Sequence, residues 1–149
     1  MFIFDSDHLT ILERRGSSTE YQNLSRRLDG YDPAVFFVSI VSFHESVLGA
    51  NAYIQKAKEA ENLAQGYERL IQVLRNFSTM QVLTFDEDAA VRFRQLRAKR
   101  VRIGTMDLRI ASTALSVDFT VLTRNFADFE KVPGLQFEDW TVSPSNSVG

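Results

Sequence analysis

Short apolar runs alternate with longer stretches of helical periodicity along the chain. Phe2-Ile3-Phe4 is a strand candidate that ends at Asp5. Ser6-Asp7 then offers an N-cap, and residues 8–15 read as a short helix broken by Gly16-Ser17-Ser18. Thr19, Tyr21, Leu24 and Leu28 mark a second helix, stopped by Gly30. Pro33 precedes Ala34-Val35-Phe36-Phe37-Val38, a continuous apolar run that fits a strand buried on both faces. Ser42 and Glu45 have capping-box spacing for the next helix. Over residues 52–77 apolar side chains recur at three- and four-residue steps, with Gly66 a candidate kink or break. Residues 82–85 form a strand candidate, and Asp86 caps a helix carrying Ala89, Phe93 and Leu96. Gly104-Thr105 opens a helix over residues 106–117, followed by a strand at 119–123. Residues 125–130 make a short helical turn ended by Pro133-Gly134, and 135–137 a last strand. Strands alternating with helices predict an α/β domain whose sheet is largely parallel and covered on both faces. The domain is expected over residues 1–141, and residues 142–149 are expected to be a flexible polar tail.

Composition narrows the class. The 149 residues suit one domain, and 44% hydrophobic with 24% charged residues is ordinary globular usage. There is no cysteine, so disulfides, zinc ribbons, cysteine nucleophiles and iron–sulfur clusters are excluded, which suits a reducing cytoplasm. Net charge is −2, so any phosphate-binding surface has to be local. No apolar run approaches the ~20 residues that span a bilayer. The apolar start meets Asp5 and Asp7 at once and lacks the basic lead of a signal peptide, so a cytoplasmic protein is expected.

In parallel α/β folds, ligands bind beyond the carboxyl ends of the strands. Asp5 follows the first strand, Glu45 begins the helix after the second, and Asp107 lies in the first turn of the helix at 106–117. Asp128 follows the 119–123 strand, with Asn125 between. Taken singly, Asp5 and Glu45 are also ordinary helix-start residues that favour the positive end of a helix dipole. Asp107 is less easily dismissed: it sits among Ile103, Met106, Ile110, Ala111 and Ala114, where a carboxylate is partly buried and needs a partner. Carboxylates converging on one point repel, and a hard divalent cation removes that conflict. An oxygen-only donor set favours Mg²⁺ or Mn²⁺. The two histidines, His8 and His44, lack partners at metal-ligand helix spacing and read as structural.

Four motifs in order resemble those of the VapC-type PIN-domain ribonucleases, the toxins of type II toxin–antitoxin systems. They are Phe4-Asp5-Ser6-Asp7-His8-Leu9, Ser39-Ile40-Val41-Ser42-Phe43-His44-Glu45, Ile103-Gly104-Thr105-Met106-Asp107-Leu108-Arg109-Ile110-Ala111 and Leu122-Thr123-Arg124-Asn125-Phe126-Ala127-Asp128-Phe129, with Val132-Pro133-Gly134-Leu135 and Trp140 beyond. The resemblance covers about residues 2–141. It implies a PIN-like three-layer fold, a five-stranded, mostly parallel sheet flanked by helices. It also implies endonucleolytic RNA cleavage that depends on Mg²⁺ or Mn²⁺, with Asp5, Glu45, Asp107 and Asp128 as catalytic acids. Asp5 and Asp107 would be the direct metal ligands. Either Asn125 or Asp128 fills the fourth position, and Ser6, where relatives carry Thr, is expected to hydrogen-bond Asp5. The resemblance further implies a small antitoxin partner and a homodimer.

Arg92, Arg94, Arg97, Lys99, Arg100 and Arg102 put six basic residues into eleven positions. A solvated helix face and a phosphate-binding flank both fit. Arg100, Arg102 and the strand-end Arg124 are the candidate RNA contacts. The apolar stripe over 52–77 is first of all core, with any surplus a docking face for an antitoxin or a second copy. Competing readings are a non-catalytic PIN-like RNA-binding module, a receiver-like signalling domain and a DNA-directed nuclease. The retained acids argue against the first. The second lacks a suitably placed Asp and Lys, and the small size argues against the third.

Overall fold

The structure is a computed structural model that describes residues 1–144. Residues 145–149, most of the expected polar tail, lie outside the described residues. Strand β1 (Phe2–Phe4) leads into helices α1 (Ser6–Arg14) and α2 (Thr19–Leu28). A 3-10 turn at Pro33–Val35 precedes β2 (Phe36–Ser39), and α3 (Ile40–Lys56) and α4 (Ala60–Ser78) follow. Next come β3 (Val82–Leu83), α5 (Glu87–Ala98), α6 (Thr105–Val117) and β4 (Thr120–Leu122), with α7 (Phe126–Phe129) and β5 (Phe137–Glu138) completing the order.

The sheet has the order β3-β2-β1-β4-β5, and every pairing among the described residues is parallel. Chain direction across the sheet switches at β1, which pairs with β2 on one side and β4 on the other. Phe4 pairs with Val38 and with Leu122. The residues that follow, Asp5, Ser39 and Thr123, therefore stand in line at the carboxyl edge. Neighbouring strand residues face opposite layers. Ile3 and Val121 pack with Leu96, Leu108, Ala111 and Phe129 on the α5–α6–α7 side. Phe4, Val38 and Leu122 pack with Leu9, Leu24, Phe77 and Trp140 on the α1–α2–α4 side. Strands buried on both faces explain the unbroken apolar runs read from the sequence.

Several boundaries differ from the sequence reading, each for a local reason. Asp5 itself caps α1, accepting the Ser6 N–H at 2.8 Å, so the helix starts two residues early. Pro33 fixes a 3-10 turn where residues 34 and 35 had read as strand, with the Asp32 side chain capping it. Ser39, not Ser42, caps α3 by accepting the Val41 N–H at 3.0 Å. Glu45 consequently lies in the second turn of a helix that packs on α4 and touches α6.

The long helical stretch divides at residues 57–59 rather than at Gly66. Gly66 is buried inside α4, where a Cβ would stand 2.5 Å from Ile54 Cγ1 and 3.2 Å from Tyr53 Cδ1. The glycine is a close-approach residue between α3 and α4. Gly66→Ala should therefore destabilise the protein by about 1–3 kcal/mol through overpacking, although alanine is the better helix former by about 1 kcal/mol. Urea unfolding measures it, and a stabilised Gly66→Ala protein would contradict the close approach. The stripe on α4 is only partly core, because Leu63, Tyr67, Ile71 and Leu74 are exposed.

Candidate active site

Asp5, Glu45, Asp107 and Asp128 are delivered by four different elements. Asp5 continues β1 into the cap of α1, and its own N–H bonds the Leu122 carbonyl at 2.9 Å. It is 5% exposed. One carboxylate oxygen accepts the Ser6 N–H at 2.8 Å and the other the Thr123 hydroxyl at 2.8 Å. Thr123, fully buried just past β4, also accepts the Asn125 N–H through Oγ1 at 2.9 Å. A relay of donors thus runs from the Asn125 backbone through Thr123 to Asp5.

Asn125 is the hinge of the cluster. Its side-chain amide donates to Asp107 Oδ2 at 3.3 Å and to Asp128 Oδ2 at 3.0 Å. Two carboxylate neighbours demand the NH₂ end of the amide, so Asn125 bridges Asp107 and Asp128. Phe129 is fully buried and Phe126 packs edge-on to Phe137 with ring centres 4.9 Å apart, which seats this turn on the core. Gly104 caps α6, leaving Asp107 half-buried in its first turn. Helix α3 brings Glu45 in, and the Ser6 hydroxyl donates to Glu45 Oε1 at 3.3 Å. The hydroxyl of Ser6 was expected on Asp5; the backbone N–H of Ser6 takes that place instead.

Asp7 joins this group without having been singled out by the sequence. Its Oδ2 accepts the Arg124 N–H at 2.9 Å, and its Oδ1 lies 2.7 Å from His8 Nδ1. His8 is fully buried, and its Nε2 accepts the Trp140 N–H at 3.2 Å. That acceptor role puts the ring proton on Nδ1, directed at Asp7. His8 is thus a structural clamp, as its lack of a partner at metal-ligand spacing suggested, and His44 is exposed. The Arg124 side chain is exposed beside the cluster. Arg100 and Arg102 line a cleft that also includes Asp128.

The carboxylates feel one another. Burial, then the Asp7 charge, pushes Asp5 up from 3.8 to about 7, against the hydrogen bonds from Thr123 and Ser6, and Asp107 raises it further. Burial, then Glu45 and Asp128, raises Asp107, opposed by the Asn125 hydrogen bond and reinforced by Asp7. Among the described residues, the one lysine or arginine side chain in an ion pair with this group is Lys131, 3.7 Å from Asp128. No three His, Asp or Glu side chains among the described residues form a ready-made metal cage. The oxygen-only donors, the buried or half-buried carboxylates and the sparse cationic compensation nevertheless fit a hard divalent ion.

The PIN-domain family model matches residues 10–135. The chain is 40% identical over 78 residues to the tRNA(fMet)-specific endonuclease VapC of Salmonella typhimurium, covering 49% of this chain and 59% of that protein. It spans 60% of the Shigella flexneri protein of the same name. It is 27% identical over 135 residues to ribonuclease VapC1 of Rickettsia felis, covering 90% and 92% of the two chains. Among solved structures, the DNA-bound VapBC of Salmonella typhimurium aligns with a TM-score of 0.71 at 26% identity over 93% of this chain and 97% of that one.

Proposed function

The chain belongs to the PIN-domain family, and from that premise we propose that it is a VapC-type endoribonuclease dependent on Mg²⁺ or Mn²⁺. The observation that carries the reading is the cluster of Asp5, Asp7, Glu45, Asp107 and Asp128, held by Thr123, Ser6 and Asn125 with almost no cationic compensation. Relatives named as ribonucleases supply the substrate class. The non-catalytic module is disfavoured because such a scaffold has no use for buried, mutually repelling acids.

Asp5 and Asp107 would hold the metal, since each is raised and would regain its charge beside a cation. A bound divalent ion supplies the neutralising charge, a lowered pKa for water and stabilisation of charge developing on the phosphate. The protein's own groups do the rest. Ser6 occupies Glu45 Oε1 and leaves Oε2 to orient a water and take its proton. Asp128, tethered by Asn125, offers a second acceptor from the opposite element. The water oxygen bonds to phosphorus, a phosphorus–ribose oxygen bond breaks, and the departing oxygen is protonated from solvent. Arg124, beside Asp7, supplies positive charge to the entering phosphate.

Among the described residues no helix is long and apolar enough to cross a membrane. Likeness to the VapBC of Salmonella typhimurium supports an antitoxin partner, and a homodimer and a cytoplasmic location are proposed with it. The exposed Leu63, Tyr67, Ile71 and Leu74 support a protein partner on α4. The catalytic reading is tested on a mixed RNA pool that includes tRNA, with purified protein freed of any partner. Discrete cuts in Mg²⁺ or Mn²⁺ and none in EDTA are expected; intact RNA in every arm would overturn it.

A further inference from the structure

Helix α5 ends in an unusual way. The Arg100 N–H bonds the Arg97 carbonyl at 3.0 Å and the Val101 N–H bonds that of Leu96 at 3.1 Å. This paired closure places Arg100 in the left-handed region, φ 58°, where glycine is the usual residue. Arg97, Arg100 and Arg102 line a cleft of about 640 Å³ together with Gly104, Leu108 and Asp128. None of the three forms an ion pair among the described residues. Arg97 lies 5.6 Å from the centre of the Phe93 ring and also borders a second hollow lined by Phe93 and Arg94. In a chain of net charge −2, three exposed arginines without an ion pair around one cleft make a local positive surface suited to an anion.

The cleft is continuous with the acid cluster, because Asp128 borders it and Asn125 joins Asp128 to Asp107. Resting on the nuclease reading, we infer that single-stranded RNA leaves the acid cluster through this cleft and follows α5. Its phosphates meet Arg100 and Arg102 first, then Arg97, with Arg94 and Phe93 beyond. The acids repel a phosphate backbone, so the arginine flank supplies the binding charge and fixes which side of the strand lies next to Asp128.

The test uses the full chain carrying Asp107→Asn, so that binding is read without cutting. Affinity for a fluorescent single-stranded RNA is measured in Mg²⁺ across a salt series. Adding Arg97→Gln and Arg102→Gln together should weaken binding by roughly tenfold or more. It should also flatten the log–log salt slope by about 1.4, near 0.7 per lost contact. Arg100→Gly separates fold from function: binding should fall while the melting temperature holds or rises, since glycine suits the left-handed position. Arg75→Gln, on α4, should leave binding unchanged. Salt-dependent binding with the same affinity and slope in all these variants would overturn the cleft and spare the nuclease reading. A parent that binds no RNA would overturn both.

Discussion

Asp107→Asn is expected to lower metal-dependent RNA cleavage by roughly a thousandfold or more, because it removes the charge of a proposed metal ligand without changing the side chain's size. The fold should survive. Asp107 is half-buried and raised by burial and by Glu45 and Asp128, so its charge is a burden to the metal-free protein at neutral pH. The melting temperature in EDTA should therefore hold or increase while product formation collapses. Asn125→Ala makes a useful contrast. It frees Asp107 and Asp128 from their shared amide but leaves every acid in place, so a smaller loss of about 10–100-fold is expected. Equal losses in the two variants would mean that Asn125 does more than hold its neighbours. Full activity in Asp107→Asn would remove Asp107 from the site.

The second large effect is on stability against pH. The Asp5 carboxyl ionises near 3.8 when unfolded and near 7 in the folded protein. Between those values the folded state keeps a proton that the unfolded state has released. Stability from this group is thus fully present below about pH 4, declines as pH rises toward 7 and levels off above that. At about 1.4 kcal/mol per pKa unit, the whole change approaches roughly 4 kcal/mol. Asp107, raised as well, acts in the same direction. Urea unfolding in EDTA at several pH values between 4 and 8 reads the decline. Asp5→Asn should abolish most of it, so the difference between the two proteins isolates Asp5 from every other carboxylate. Mg²⁺ at pH 8 should restore stability to the native protein and much less to the variant. Parallel pH profiles for the two would contradict the shift.

The sequence made the strands and the acids legible for the same reason. Strands buried on both faces write themselves as apolar runs such as Phe2-Ile3-Phe4, and an acid directly after such a run stands out, as Asp5 does. Asp107 was legible through its apolar neighbours, which foretold both partial burial and the partner found in Asn125. Thr123 was hidden, since its bond to Asp5 depends on the register that pairs Phe4 with Leu122 across more than a hundred residues. Asp7 and His8 were hidden in another way. Nothing near them in the chain shows that Trp140 and Arg124 return to fix them. The break between α3 and α4 carries no glycine or proline, and Gly66, the residue that looked like a breaker, is the point where the two helices touch.

In the proposed reaction, water brought to the phosphate by carboxylates holding a divalent ion cuts RNA. The most direct measurement is the chemistry of the new ends, read on RNA fragments produced in Mg²⁺ beside an EDTA control. Cuts in Mg²⁺ alone are expected, with no 2′,3′-cyclic phosphate on the products, because water and not the ribose hydroxyl attacks. Cuts that persist in EDTA, or products ending in a cyclic phosphate, would contradict it.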